Sequence, residues 1–254
     1  MLNLADRWAH LVQSHNHALI DFCAVQLVSF VSFWCFASAF VLVDVFCPNF
    51  SARHKLQAAG KQPTREEIVE CLRVVGRNQL LSTFVGVGLY LSGRPSPYSF
   101  SPRLPGLGEI IRDVILCALI REVLFYYSHR LFHHRAIYAP IHKLHHRFTA
   151  PIALAAQYAH PVEHYVANVI PVALPPQLLR VHAVTWWIFL ATQLMETSMV
   201  HSGYDFFAGV ARMHDLHHES SRVNYGTVGL LDWLHGTWSS KSTRAEDDSL
   251  RKKD

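Results

Sequence analysis

The sequence predicts an all-α protein embedded in a membrane, with about four or five inserted helices or hairpins and a helical, histidine-rich cap on the cytosolic side. Three observations predict it. Half of the 254 residues are apolar and only 17% are charged, and mean hydropathy is +0.13, a balance that suits apolar surface facing lipid as well as a core. Residues 22–43 carry no formal charge, enough for a helix to cross a hydrocarbon layer of roughly 30 Å. The third is the histidine spacing, which is helical and is taken up below.

This composition excludes a disordered or collagen-like chain. A formal net charge of +4 and a pI near 8.8 are too mild and too scattered for a nucleic-acid surface, so no nucleic-acid partner is expected. The five cysteines, at 23, 35, 47, 71 and 117, form no CxxC pair and read as buried small hydrophobes. The first long apolar run is too long for a cleaved signal, so the N-terminus is expected to be retained.

Three regions follow: a membrane-anchoring segment 1–112, a histidine-bearing domain 113–240 and a charged tail 241–254. Phe22 to Val43 is the strongest span, apolar on all sides. Asn78 to Gly93 is a shorter uncharged stretch, and Val114 to Tyr127 a third candidate carrying Arg121 and Glu122 side by side. Charges in such a position face a protein interior. Tyr165 to Leu179 and Val181 to Val200 form a pair around Arg180, and Pro171, Pro175 and Pro176 point to a tilted or re-entrant hairpin. That hairpin returns the chain to the side it left, so the histidine segments before and after it should meet. The 47–77 loop has six Lys or Arg against Arg7 alone in the first 21 residues, which places loop, histidines and tail in the cytosol. Trp186, Trp187 and Phe189 read as an interfacial aromatic belt, with a tunnel wall as the alternative.

Thirteen of the 18 histidines lie between 129 and 218, eleven of them in the sets His129/His133/His134, His142/His145/His146, His160/His164 and His214/His217/His218. Residues three and four apart share a helix face, so each set should present imidazoles in one direction, as half of a ligand set. Two sets share the spacing HxxHH. Eight or more imidazoles exceed one ion's coordination sphere, so two metals are the natural inference. In HRLFHH both His133 and His134 lie in reach of His129, and His133 is the preferred ligand. His160 and His164 have weaker claims, since Pro161 between them could simply start a helix, and His201 is a plausible further ligand. His10, His15, His17, His54, His182 and His235 are given no role. Two divalent ions on neutral imidazoles leave about +4 in a low-dielectric site, which calls for carboxylates nearby. Glu122, Glu163, Glu196, Asp215 and Glu219 are close in sequence, and carboxylates commonly hold the outer N–H of a ligating His. No nucleophile elbow, phosphate loop, GxGxxG or HExxH occurs, so hydrolase and nucleotide-binding readings lack footing.

HRLFHH at 129–134, IHKLHH at 141–146, TAPIALAAQYAHPVEH at 149–164, HSGYDF at 201–206, HDLHH at 214–218 and NYGTVGLLDWLHGT at 224–237 together resemble the fatty acid hydroxylase and sterol desaturase superfamily of membrane oxygenases. YAHPVE and HSGYDF are similar to the signatures of C4-methylsterol oxidases and fatty acid hydroxylase domain-containing proteins. The resemblance implies a non-haem di-iron centre in a multi-pass endoplasmic reticulum protein with its boxes in the cytosol. It implies electrons from NAD(P)H through cytochrome b5 or its reductase, and the ligands His129, His133, His142, His145, His146, His214, His217 and His218, with His160 and His201 added. His134, His164, Glu122, Glu163, Glu196 and Asp215 are further candidates for ligand or supporting roles. Sterol-demethylating members often carry an acidic residue where this chain has Gln157.

The expected activity is thus O2-dependent oxidation of an unactivated C–H bond of a lipid, first a sterol C4-methyl group. Zinc alone could not do this, although zinc can replace iron in a recombinant sample. Two alternatives stand beside it: an acyl-chain or sphingoid-base hydroxylase or desaturase, and a catalytically silent zinc-binding scaffold. With no flavin, haem or nicotinamide motif in the chain, an external reductant is required.

Overall fold

The computed structural model describes residues 3–206 and 209–240; the charged tail 241–254 lies outside the described residues. Among these the chain is helical, with no β-sheet. Helix α1 (Leu4–Ser14) is capped by Asn3, whose side chain accepts from Asp6 N. Asn16 does the same for α2, His17–Phe46, by accepting from Ala18 N and Leu19 N. Such caps answer N–H groups that the first helical turn leaves free. A π turn at Phe30–Cys35 interrupts α2 without ending it. Helix α2 is the one helix among the described residues long and apolar enough to cross a membrane by length and composition. The stretches expected at Asn78 to Gly93, Val114 to Tyr127 and the hairpin fall in helices that do not meet that standard.

A short α3 (Pro48–His54) leads to α4 (Arg65–Leu91), which starts in a capping box of Thr64 and Glu67. Helix α5 (Leu107–Phe132) begins where Glu109 accepts from Gly106 N. On α5 every fourth residue from Leu107 to Leu131 is an exposed apolar or aromatic side chain, one continuous stripe at helical spacing. Arg121 and Glu122 lie on its buried side.

Helices α6 (161–178) and α7 (Ala183–Val200) form the antiparallel hairpin. The prolines do not break α6 as expected. A π turn at His164–Val169 directly precedes Pro171, where the ladder loses one donor, and Pro175 and Pro176 fall in the last turn. Arg180, with φ +48°, ends the helix in a left-handed turn, Val181 N donating to Pro176 O and Arg180 N to Gln177 O. The chain then returns along α7 to His201, followed by α8 (Val210–Ser220) and α9 (Leu230–His235).

Two buried clusters bind the N-terminal helices to the rest. Phe33, Ala37, Cys71 and Val75 pack with Phe148 and residues 152–158, and Trp8 and Val12 pack with Cys117, Val181, Trp186 and Phe189. Trp186 and Phe189 are therefore interior rather than an interfacial belt, 4% and 0% exposed. Cys71 and Cys117 are buried as expected, whereas Cys23 and Cys35 on the unpacked apolar faces of α2, and Cys47 just after it, are exposed.

Candidate metal centre

The hairpin and the turns beside it bring nine of the ten expected histidines into two adjoining groups. His129, His133, His142, His146 and His217 form one, and His145, His201, His214 and His218 the other, each with its donor nitrogens within 4.8 Å of one another. The sequence expectation was that each box would point its rings one way. That describes only the pairs four apart: His129/His133 and His142/His146 stay together, as do His214/His218. His145 and His217 cross to the opposite group, so each HxxHH serves both. His142 and His145 stack at 5.6 Å between ring centroids in the 3-10 turn His142–Arg147, and His214 and His217 do the same at 5.8 Å in α8.

The outer nitrogens fix how the rings are held. Nδ1 of His129 lies 2.7 Å from Tyr225 O, that of His217 2.7 Å from Val223 O, that of His201 2.8 Å from Thr197 O and that of His145 3.3 Å from Tyr158 O. A carbonyl only accepts, so these rings donate Nδ1–H and leave Nε2 as a bare lone pair. His201 and His145 then face each other with bare Nε2 lone pairs 3.4 Å apart, and Nε2 atoms also approach to 3.2 Å between His217 and His146, 3.0 Å between His142 and His146 and 2.9 Å between His214 and His201. Two acceptors cannot hydrogen-bond each other, and a shared cation resolves the conflict. Imidazoles sharing an ion at the usual metal–nitrogen length of about 2.1 Å would stand roughly 3.0 Å apart at right angles, the spacing seen here. The donor set therefore fits two borderline metal ions such as iron.

Burial keeps the rings neutral and ready to ligate. It pulls His145 down to about 4 and His201 to about 3, and lowers His142, His217 and His218 with neighbouring imidazoles reinforcing the effect. Glu163 Oε1 meets His142 Nδ1 at 2.8 Å, and burial raises the Glu163 carboxyl. A cation held by His142 would favour its ionised form, so Glu163 is the carboxylate placed to offset that charge.

The remaining candidates lie elsewhere. His160, expected as a ligand, instead caps α6, its Nδ1 accepting from Val162 N at 3.2 Å; Pro161 starts the helix there and turns the ring away from both groups. His134 similarly caps the short turn Arg135–Tyr138, which leaves His133 in the cluster. His164 Nε2 meets Ser82 Oγ at 3.0 Å, Glu196 accepts from Arg121, and Asp215 accepts from Gln57. Glu122 is a clamp: its carboxylate accepts from the backbone of Thr227, Val228 and Leu231 and from the Thr227 hydroxyl. Asp232, which sequence reasoning did not single out, accepts from Tyr225 N and Gly226 N. Together they hold the loop whose Tyr225 carbonyl orients His129. A Cβ on Gly226 would lie 2.6 Å from Glu122 Oε1, so only glycine fits between the carboxylates. The motif around Asn224 was the available signal for this loop. The carbonyls of Thr197, Tyr158 and Val223 leave none, because any residue supplies them.

A cavity of about 580 Å³ opens onto one group only. His145, His201 and His214 line it, and it runs along α7 to Trp186, fifteen residues or about 22 Å away. Its volume falls in the usual range for small-molecule sites, about 300–1,000 Å³.

The comparisons with known proteins agree with this arrangement. A family model described as fatty acid hydroxylase matches residues 114–237. Fatty acid hydroxylase domain-containing protein 2 of Homo sapiens is 36% identical over 225 residues, 86% of this chain and 67% of that protein. Methylsterol monooxygenase 1 of Danio rerio is 31% identical over 236 residues, 87% of this chain and 78% of its own length. Very-long-chain aldehyde decarbonylase GL1-10 of Oryza sativa subsp. japonica is 35% identical over 219 residues, 77% of this chain and 69% of that protein. No solved structure matches. With the histidine groups and these relatives in view, the chain belongs to the fatty acid hydroxylase family.

Proposed function

We infer that the protein is a membrane-bound di-iron oxygenase that oxidises an unactivated C–H bond of a lipid, with a sterol C4-methyl group as the first substrate reading. The observation that carries it is the cavity that ends on His145, His201 and His214. His129, His133, His142, His146 and His217 would hold one ion, and His145, His201, His214 and His218 the other. Bound there, a pair of iron ions supplies the O2 and one-electron chemistry that such a bond demands.

The chain's own residues do the rest. Backbone carbonyls at Tyr225, Thr197, Tyr158 and Val223 aim the rings, Glu163 balances charge through His142, and the apolar cavity admits lipid while limiting water. The exposed stripe of α5 and the outer face of α2 meet the bilayer, and residues 1–112 anchor the domain 113–240 in it. The spans include the stretches at 78–93, 114–127 and the hairpin of 165–179 and 181–200, in the endoplasmic reticulum with the histidines cytosolic. Electrons come from a separate protein there, cytochrome b5 or an NAD(P)H-dependent reductase.

The cavity's length along α7 favours a second reading, oxidation of an extended acyl chain or sphingoid base. Lipid mass spectrometry of cells expressing the protein or its His145→Ala/His146→Ala variant tests both. Methylsterols consumed only with the intact protein support the first, and new hydroxylated or unsaturated chains the second. Identical profiles, with zinc and no iron in the purified protein, would leave the silent scaffold.

A further inference from the structure

The cavity wall contains polar groups that the protein itself does not satisfy. Arg121 on α5, Asn168 on α6 and Gln193 on α7 line it, and Arg121 Nε, Asn168 Nδ2 and Gln193 Oε1 are buried without a hydrogen-bond partner. Arg121 and Gln193 are 8% and 9% exposed. Each such atom destabilises the fold when nothing answers it. Three of them, from three helices around one cavity, mark a place where something else supplies the partner.

The chemistry of that partner follows from what the wall offers. Arg121 already gives its charge to Glu196, Nη1 to Oε2 at 2.8 Å, so it offers no free positive charge to a carboxylate or phosphate; the exposed Arg94 stands elsewhere in the lining. What is left on these three residues is two N–H donors and one amide oxygen, beside the likewise unpartnered His164 Nδ1, Tyr165 Oη and Trp186 Nε1 of the same lining. A hydroxyl group is their complement, since it donates one hydrogen bond and accepts two. Gln193 lies eight residues before His201 and Arg121 eight before His129, about 12 Å along each helix axis. The two sit at matching depth beneath the histidines.

Resting on the lipid-oxygenase reading, we propose that Arg121, Asn168 and Gln193 form a belt that recognises the hydroxyl of an uncharged lipid. By gripping that hydroxyl, the belt sets which carbon of the lipid extends up to His145, His201 and His214. Chains with no polar group are disfavoured.

The test is equilibrium binding to the full-length protein in lipid nanodiscs, with two matched pairs of probes. One pair is a 4,4-dimethyl-3β-hydroxysterol and its 3-deoxy analogue; the other is a long-chain primary alcohol and its deoxy analogue, the alkane of the same length. The hydroxylated member of at least one pair should bind about tenfold tighter or better, and the discriminating pair identifies a ring or a chain as the source of the hydroxyl. Gln193→Leu and Asn168→Leu should bring that ratio towards unity while binding the deoxy probe as the parent does, which also shows that they fold. Gln193→Asn, retaining the amide, should keep part of it. Equal binding within both pairs, or a ratio unchanged in both leucine variants, overturns the belt and leaves the oxygenase reading intact. If no lipid of either pair binds, both fail together.

Discussion

The two histidine groups are built from the same boxes yet face different surroundings. The five-ring group is enclosed: Tyr225 packs 5.1 Å from His133 and 5.5 Å from His217 between ring centroids, its carbonyl holds His129, and Glu163 holds His142. In the four-ring group, His145, His201 and His214 line the cavity, and His218 Nδ1 has no hydrogen-bond partner. The difference teaches a division of labour. One group is held from behind by a carboxylate and a clamped loop, while the other trades such support for an opening onto the cavity.

The largest test of that division is removal of one ring from each group. His142→Ala and His214→Ala should both abolish product, but iron analysis should find the loss confined to the group that was cut. The milder Glu163→Gln should weaken metal retention by about 10–100-fold, and only in the enclosed group. Equal loss of both ions from Glu163→Gln would show that the groups act as one unit.

Acid should act next, and the sign can be worked out. An imidazole titrates near 6.5 in an unfolded chain, whereas burial holds His145 at about 4 and His201 at about 3. The lowered values mean that folding favours the neutral rings. Their contribution is complete above about pH 6.5 and drains away as the pH falls towards 4 and then 3. At pH 5 each ring should cost on the order of 2 kcal/mol, read as a fall in the melting temperature of metal-free protein between pH 7.5 and 5. A flat melting profile would mean that these rings are hydrated.

Smaller still is the effect of crowding the loop behind the enclosed group. Gly226→Ala places a methyl between Glu122 and Asp232, 2.6 and 2.9 Å from their oxygens. Overpacking of this kind costs about 1–3 kcal/mol. The displaced Tyr225 carbonyl should loosen His129 and lower iron retention in the five-ring group, with the four-ring group unchanged. Chemical denaturation and iron content together measure it.

Much of this was legible in the residues. Side-chain ligands announce themselves by type and by spacing of three or four, so HxxHH and HRLFHH pointed to the clusters, and the hairpin followed from two apolar runs around Arg180. The crossing of His145 and His217 between groups was not legible, because it depends on how the two boxes dock against each other, which the spacing within a box does not fix. His160 misled for a related reason: a histidine before proline at a helix start can cap that helix as readily as it can bind a metal. The α6 prolines misled because a π turn nearby accommodates what an isolated helix would not.

Ser221 offers the finest probe of the comparison, because one residue carries two opposed effects. It closes α8 with φ +57°, a left-handed conformation that costs an L-residue roughly 1–2 kcal/mol and glycine little. Its hydroxyl also lies 3.4 Å from His146 Nδ1, the outer nitrogen of a ring in the enclosed group. Ser221→Gly should therefore raise stability by up to about 1 kcal/mol while modestly weakening iron retention by that group. Ser221→Ala removes the hydroxyl and keeps the strained backbone, so it should weaken retention without the gain in melting temperature. If the glycine variant is more stable and holds both ions as firmly as before, the serine hydroxyl does not orient His146, and the support behind the enclosed group comes from Tyr225, Val223 and Glu163 alone.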